Sequence, residues 1–189
     1  GIEVKKYPLC YATHRTLDGL IDLMAETPGL DLSAVDCVEV TTNFRATVPL
    51  IYDAPKTGLE GKFSMQYAVT AALLDKKIGL SSFDDQAVQR REVQAFMPRV
   101  KVREGEPPMF PRWAALRVVL KDGRVLEKRI DKLRGSTELP LSDIALVEKG
   151  RDCCLYGDLP VEAARLAEAC FRLPQQKLSS VLAVLPTQN

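Results

Sequence analysis

Within the first fourteen residues stand Lys5, Lys6, Tyr7, Cys10 and His14, the last being the only histidine of the chain. Together they offer cations, a phenol donor, a thiol and an imidazole. Adjacent lysines in an extended segment point to opposite sides, so one can face a cleft while the other is solvated; a pair of surface lysines is the plainer reading. His14 follows Thr13, a candidate N-cap, and a helix start disfavours imidazolium while its free N–H groups attract anions. A capping or core histidine explains it equally. A second group, Lys62, Ser64 and Tyr67, repeats the arrangement further on. Ser64 suits an N-cap with Lys62 adding charge, and Tyr67 lies one turn into an apolar helix, where a phenol needs a partner. Here too an ordinary cap and a satisfied core tyrosine are the plainer account.

The elements that must position these groups follow from periodicity. Ile2 and Val4 alternate with charged residues in a short strand or extended arm ended by Pro8. Leu17, Leu20, Ile21 and Met24 form one stripe of a helix stopped by Pro28-Gly29. Val35 to Thr42 has the β-branched alternation of a strand, and the Ala-rich run after Ser64 reads as a helix buried on most sides. A charged helix is expected from Ser82 through about Phe96, then a strand around Val100 and Val102. Trp113 to Leu120 and Val125 to Ile130 flank Asp122-Gly123, a hairpin with a turn dipeptide suited to positive φ. From Gly135 the pattern is helical, with Ser142 as a cap, Pro160 at an N1-like position and Pro174 resetting the chain. The sum is a single α+β domain over 1–189: a mainly antiparallel sheet of about four to five strands covered by helices, with helices at the C-terminus.

Composition narrows the function classes. Twenty-six basic and 25 acidic residues give a net charge of +1, without the basic patch that nucleic acid demands. No apolar run approaches the ~20 residues of a membrane span, and the N-terminus lacks a signal peptide's apolar core, so a cytoplasmic location is expected. Cys10, Cys37, Cys153, Cys154 and Cys170 form no C-x-x-C pair, and Cys10 with His14 supplies only two ligands. Reduced thiols and no metal are expected. The G-x-S-x-G elbow, the P-loop and the dinucleotide fingerprint are all missing from the sequence.

Lys5-Lys6-Tyr7-Pro8-Leu9-Cys10 with His14 and Asp18, and Gly61-Lys62-Phe63-Ser64-Met65-Gln66-Tyr67-Ala68 leading to Ala72-Leu73-Leu74-Asp75, resemble the C-terminal domain of the MmgE/PrpD family. The hairpin and Pro140-Leu141-Ser142 follow in the family's order. The resemblance implies the α+β lid of a longer protein whose helical N-terminal domain forms the other wall of a cleft. The glycine at position 1, in place of methionine, agrees with a segment cut from such a protein. It further implies a homodimer and a cofactor-free lyase acting on a small polycarboxylate, most like 2-methylcitrate dehydratase, with epimerisation or decarboxylation as alternatives. Lys5 matches the family's cleft lysine and Tyr67 its buried-helix tyrosine, the implied catalytic pair. Lys5 and His14 are the implied substrate contacts, with Lys62 and Ser64, read from the second helix start, as further ones, and histidine stands in some members where this chain has Cys10. A lid fragment alone would be inactive. A non-catalytic binding module is the rival reading from a different class.

Overall fold

A computed structural model describes residues 1–185. They fall into two compact units that divide after Pro140.

In the first unit the chain enters as an extended arm without strand pairing, Val4 N–H donating to the Gly135 carbonyl at 2.8 Å. A 3-10 turn at Tyr11–Thr13 then feeds α1 (His14–Glu26). The stripe seen in the sequence is the buried one: Leu17, Leu20 and Leu23 are in the core, with Ile21 and Met24 packed at its margin. Thr13 precedes the helix but does not cap it with its side chain, because its hydroxyl donates to the Cys10 carbonyl at 2.8 Å.

After β1 (Val35–Thr42) the chain crosses through α2 (Gly58–Gly61), α3 (Met65–Asp75), α4 (Asp85–Val88) and α5 (Arg91–Phe96) to β2 (Val100–Glu104). Nearly every residue of α3 is buried, as its alanine-rich, all-round apolar sequence requires. The helix ends on Lys76, whose left-handed φ of 63° closes it before Gly79 is reached. The single helix expected from Ser82 to Phe96 is instead two, interrupted at Gln89 and Arg90. Arg90 turns there to make a bidentate pair with Asp75, at 2.7 and 2.6 Å, while Val88 and Val93 insert into the core on either side.

The hairpin of β3 (Ala114–Leu120) and β4 (Val125–Ile130) forms as its sequence indicates, with Gly123 at φ 88° in the turn. The sheet has four strands in the order β2-β1-β3-β4. Two of its three pairings are antiparallel, which keeps the fold α+β, while β1 and β2 run parallel, as a crossover through helices dictates. Val38, Val40, Leu116 and Val118 line the face covered by α1 and α3. The other face is charged: Glu39 bridges Arg103 at 3.1 Å and Arg117 at 3.4 Å.

The second unit holds α6 (Asp143–Tyr156), α7 (Ala163–Phe171) and α8 (Leu178–Leu182). Ser142 caps α6 by accepting from Ala145 N–H at 3.2 Å. The following helix begins later than Pro160 suggests, because the Glu162 carboxylate captures the N–H groups of Ala164 and Arg165 and fixes the start at Ala163. No helix among the described residues is long and apolar enough to cross a membrane.

Candidate functional site

The opening motif is held by one buried carboxylate. Asp18, 1% exposed, accepts from the Tyr7 hydroxyl at 2.8 Å and from Arg134 N–H at 2.9 Å. The Arg134 guanidinium and the Lys6 ammonium lie 3.4 and 3.9 Å away. Of the two adjacent lysines, Lys6 therefore turns inward and also lies over the Tyr7 ring, while Lys5 is exposed and makes no ion pair among the described residues. Burial, and then the Asp18 charge, hold the Tyr7 phenol far above its ordinary pKa. His14 is fully buried, its ring 5.2 Å from that of Tyr7 and 4.9 Å from that of Tyr11.

The second motif is tied to the first through the backbone, Cys10 N–H donating to the Lys62 carbonyl at 2.9 Å. Ser64 accepts from Tyr67 N–H at 3.1 Å and so serves as the cap its position suggested. The Lys62 ammonium lies 5.8 Å from the Phe83 ring centre. Tyr67 is fully buried, packs edge-on against Phe83 and donates its hydroxyl to the Ser82 carbonyl. Burial pushes its phenol up to about 12, so at neutral pH it is a donor and not a base. The fold thus joins the two motifs at the Cys10–Lys62 contact, with Lys5 at the surface and Tyr67 in the core.

Beside Cys10 opens a cavity of about 220 Å³. Its walls come from the Tyr11–Thr13 turn and the first residues of α1, from the loop after β1 and from the loop before β3; the last two are neighbours because Thr42 pairs with Ala114. Asn43, almost fully buried, knots these loops together. Its amide nitrogen donates to the Phe44 and Met109 carbonyls at 3.1 and 2.9 Å, and its amide oxygen accepts from Trp113 N–H at 3.2 Å. Trp113 is clamped between the Arg129 guanidinium, 4.3 Å from the ring centre, and Gly105. A Cβ at Gly105 would come within 2.9 Å of the indole, so the close approach requires glycine.

Arg15, Arg45 and Arg112 reach this cavity, and no carboxylate lines it. Burial chiefly lowers the Arg15 guanidinium, the Tyr11 phenol opposes that shift and the charge of Arg112 adds to it. Burial, with the Glu3 carboxylate close by, pushes the Tyr11 phenol up to about 12. Sequence reasoning did not single out these arginines. They are spread over nearly one hundred positions with no spacing signal, and only the β1–β3 pairing gathers them. Chemically the arrangement suits an anion: guanidinium groups donate in bidentate fashion to carboxylates, and the tyrosines stay protonated.

Comparison with known proteins places this geometry in context. The chain is 29% identical over 156 residues to cis-aconitate decarboxylase of Mus musculus, covering 79% of the chain and 32% of the relative. It is 33% identical over 101 residues to cis-aconitate decarboxylase of Homo sapiens, covering 51% of the chain and 21% of that relative. It spans about a third or less of the length of these curated relatives. The model of the MmgE/PrpD C-terminal domain matches residues 7–173, which takes in most of the opening motif, the Ser64 cap, the cavity loops and the hairpin. The chain therefore belongs to the MmgE/PrpD family, as its C-terminal domain.

Proposed function

We propose that this chain forms one wall of the active site of a lyase that acts on a small polycarboxylate without a cofactor, most like 2-methylcitrate dehydratase. The observation that carries the reading is Lys5, an exposed cation two residues ahead of the family-matched segment, with no carboxylate partner among the described residues. Removing a proton next to a carboxylate builds negative charge on the substrate, and a positioned cation stabilises that charge. Lys5 would hold the carboxylate on which it grows. In this reading the acid-base groups come from the helical domain expected across the cleft. Tyr67, fully buried with its hydroxyl donated to the Ser82 carbonyl, takes no part in this step.

Decarboxylation is the second reading, favoured by both relatives, each a cis-aconitate decarboxylase. Fold does not choose between reactions that begin alike and differ in which bond then breaks. The deciding experiment offers 2-methylcitrate, cis-aconitate and iminodisuccinate in turn to the chain joined to its helical domain, and follows loss of water, release of carbon dioxide or inversion. Water loss from 2-methylcitrate is expected. Turnover of cis-aconitate alone selects the second reading, and silence on all three removes the lyase assignment in favour of a binding module.

A further inference from the structure

We propose that Arg15, Arg45 and Arg112 form a subsite that binds the carboxylates of a small di- or tricarboxylate, in the cavity beside Cys10. The inference deepens the lyase reading and rests on it, since it names the groups that would hold the part of the substrate remote from Lys5.

The first support is how this chain treats its other arginines. Arg90, Arg99, Arg103, Arg117, Arg124, Arg129, Arg134 and Arg172 each pair with a carboxylate, while Arg91, Arg151 and Arg165 pair with none among the described residues and do not line this cavity. Arg15, Arg45 and Arg112 form no ion pair within 4 Å among the described residues, yet they share one cavity. Arg15 donates to the Asp131 carbonyl at 3.4 Å and feels the Glu3 and Asp18 charges at longer range, and Arg112 lies over the Phe110 ring. The nearby acids act on these guanidinium groups only at longer range: Glu104, bound to the backbone N–H groups of Arg45 and Thr47, on Arg45, and Glu3, beside Tyr11, on Arg15. Three like charges around one small space repel one another until an anion enters.

The second support is the character of the walls. Ala12, Ala46, Pro49 and Trp113 are interleaved with the cations, which suits a ligand with a carbon skeleton between its charges better than an inorganic ion. The backbone of the loop after β1 is also unable to form an anion cradle. The N–H groups of Asn43, Arg45, Ala46 and Thr47 are already donated, to Trp113, Glu104, Asn43 and Glu104 in turn. Recognition falls to side chains arriving from three directions, as separate carboxylates require. Asn43 is the positioning residue, since it ties the loop bearing Arg45 to the loop bearing Arg112.

The test is calorimetric titration of this chain with tricarballylate, an inert tricarboxylate, with acetate and inorganic phosphate as separate arms. Saturable binding of tricarballylate is expected, with acetate and phosphate at least about tenfold weaker and the affinity falling as salt rises. Arg45→Gln and Arg112→Gln, on exposed loops, should each weaken binding by about tenfold to a hundredfold. Arg15→Lys, which keeps the charge but loses the fork, should weaken it less than Arg15→Gln. Arg103→Gln, on the open face of the sheet, should change nothing. No saturable binding, phosphate equal to tricarballylate, or an Arg103→Gln loss equal to that of Arg112→Gln would each overturn the subsite. The two proposals separate in the joined protein. Turnover with KM unmoved by Arg112→Gln defeats the subsite and leaves the lyase, whereas tricarballylate binding without turnover of any substrate supports the subsite and defeats the lyase.

Discussion

Asp18 illustrates how much one side chain can hold. Four groups from two segments converge on a carboxylate that is 1% exposed. Asp18→Ala should cost about 3–5 kcal/mol, because it leaves the buried Tyr7 phenol and the Arg134 N–H without their acceptor and the Arg134 guanidinium with Asp22 alone; chemical denaturation measures this, and a loss below 1 kcal/mol would contradict the account. Lys5 and Tyr67 should separate sharply. Lys5→Ala is expected to leave the melting temperature unchanged and to lower turnover in the joined protein by about tenfold to a thousandfold. Tyr67→Phe is expected to cost about 1 kcal/mol of stability by stranding the Ser82 carbonyl, with turnover changing less than tenfold. Turnover collapsing at constant stability would instead make Tyr67 a catalytic donor. At this scale the sequence was legible where the role is local: Ser64 and Ser142 cap helices as their positions indicated. It was silent on Arg45 and Arg112, because a lone arginine in a loop carries no sign of what lies opposite.

Between residues and fold, the loop after β1 is set by Glu104, whose carboxylate accepts from the Thr47 hydroxyl and from the N–H groups of Thr47 and Arg45. The Thr47 hydroxyl chiefly, and then these N–H groups, hold the Glu104 carboxyl below its ordinary value of 4.5. A carboxyl with a lowered folded pKa stabilises fully above the unfolded value and loses that contribution as pH falls through the folded one. The loop should therefore be intact at pH 6 and loosen on acidification below about 4.5. Backbone amide NMR shifts of Arg45 and Thr47 should move together in that window in the wild type and not in Glu104→Gln; shifts constant down to pH 3 would show that Glu104 does not hold the loop. Strand β1, the hairpin and the buried face of α3 could all be read from period and composition, since each pattern is written within its own segment. The parallel pairing of β1 with β2 could not, because alternation tells which side chains face the core and nothing about the neighbour. The break at Arg90 was hidden for a related reason: it depends on Asp75, fifteen positions away.

At the scale of the molecule the two units differ in what they bury. The first encloses a continuous core, whereas residues after Pro140 leave Ile144, Leu155, Tyr156, Leu159, Leu178 and Leu182 more than half exposed. So much apolar surface on so short a segment marks a face that is normally covered. The chain on its own should self-associate: sedimentation velocity between about 5 and 200 μM should show rising mass and dye binding to apolar surface, and replacing Leu155 and Leu178 by serine should suppress both. A concentration-independent monomer that binds no dye would refute this. The second unit should also be the first to yield to protease, having few buried side chains to resist opening.

The knot at Asn43 has a consequence for divergence within the family. By joining two loops at adjacent strand ends, it makes the cavity wall a module hung on the sheet and not part of it. Exchanges at positions such as 45, 49, 109 and 112 can then retune which ligand is held while the strands beneath keep their pairing. Selection could in this way explore new substrates on an unaltered foundation, provided the asparagine is left in place.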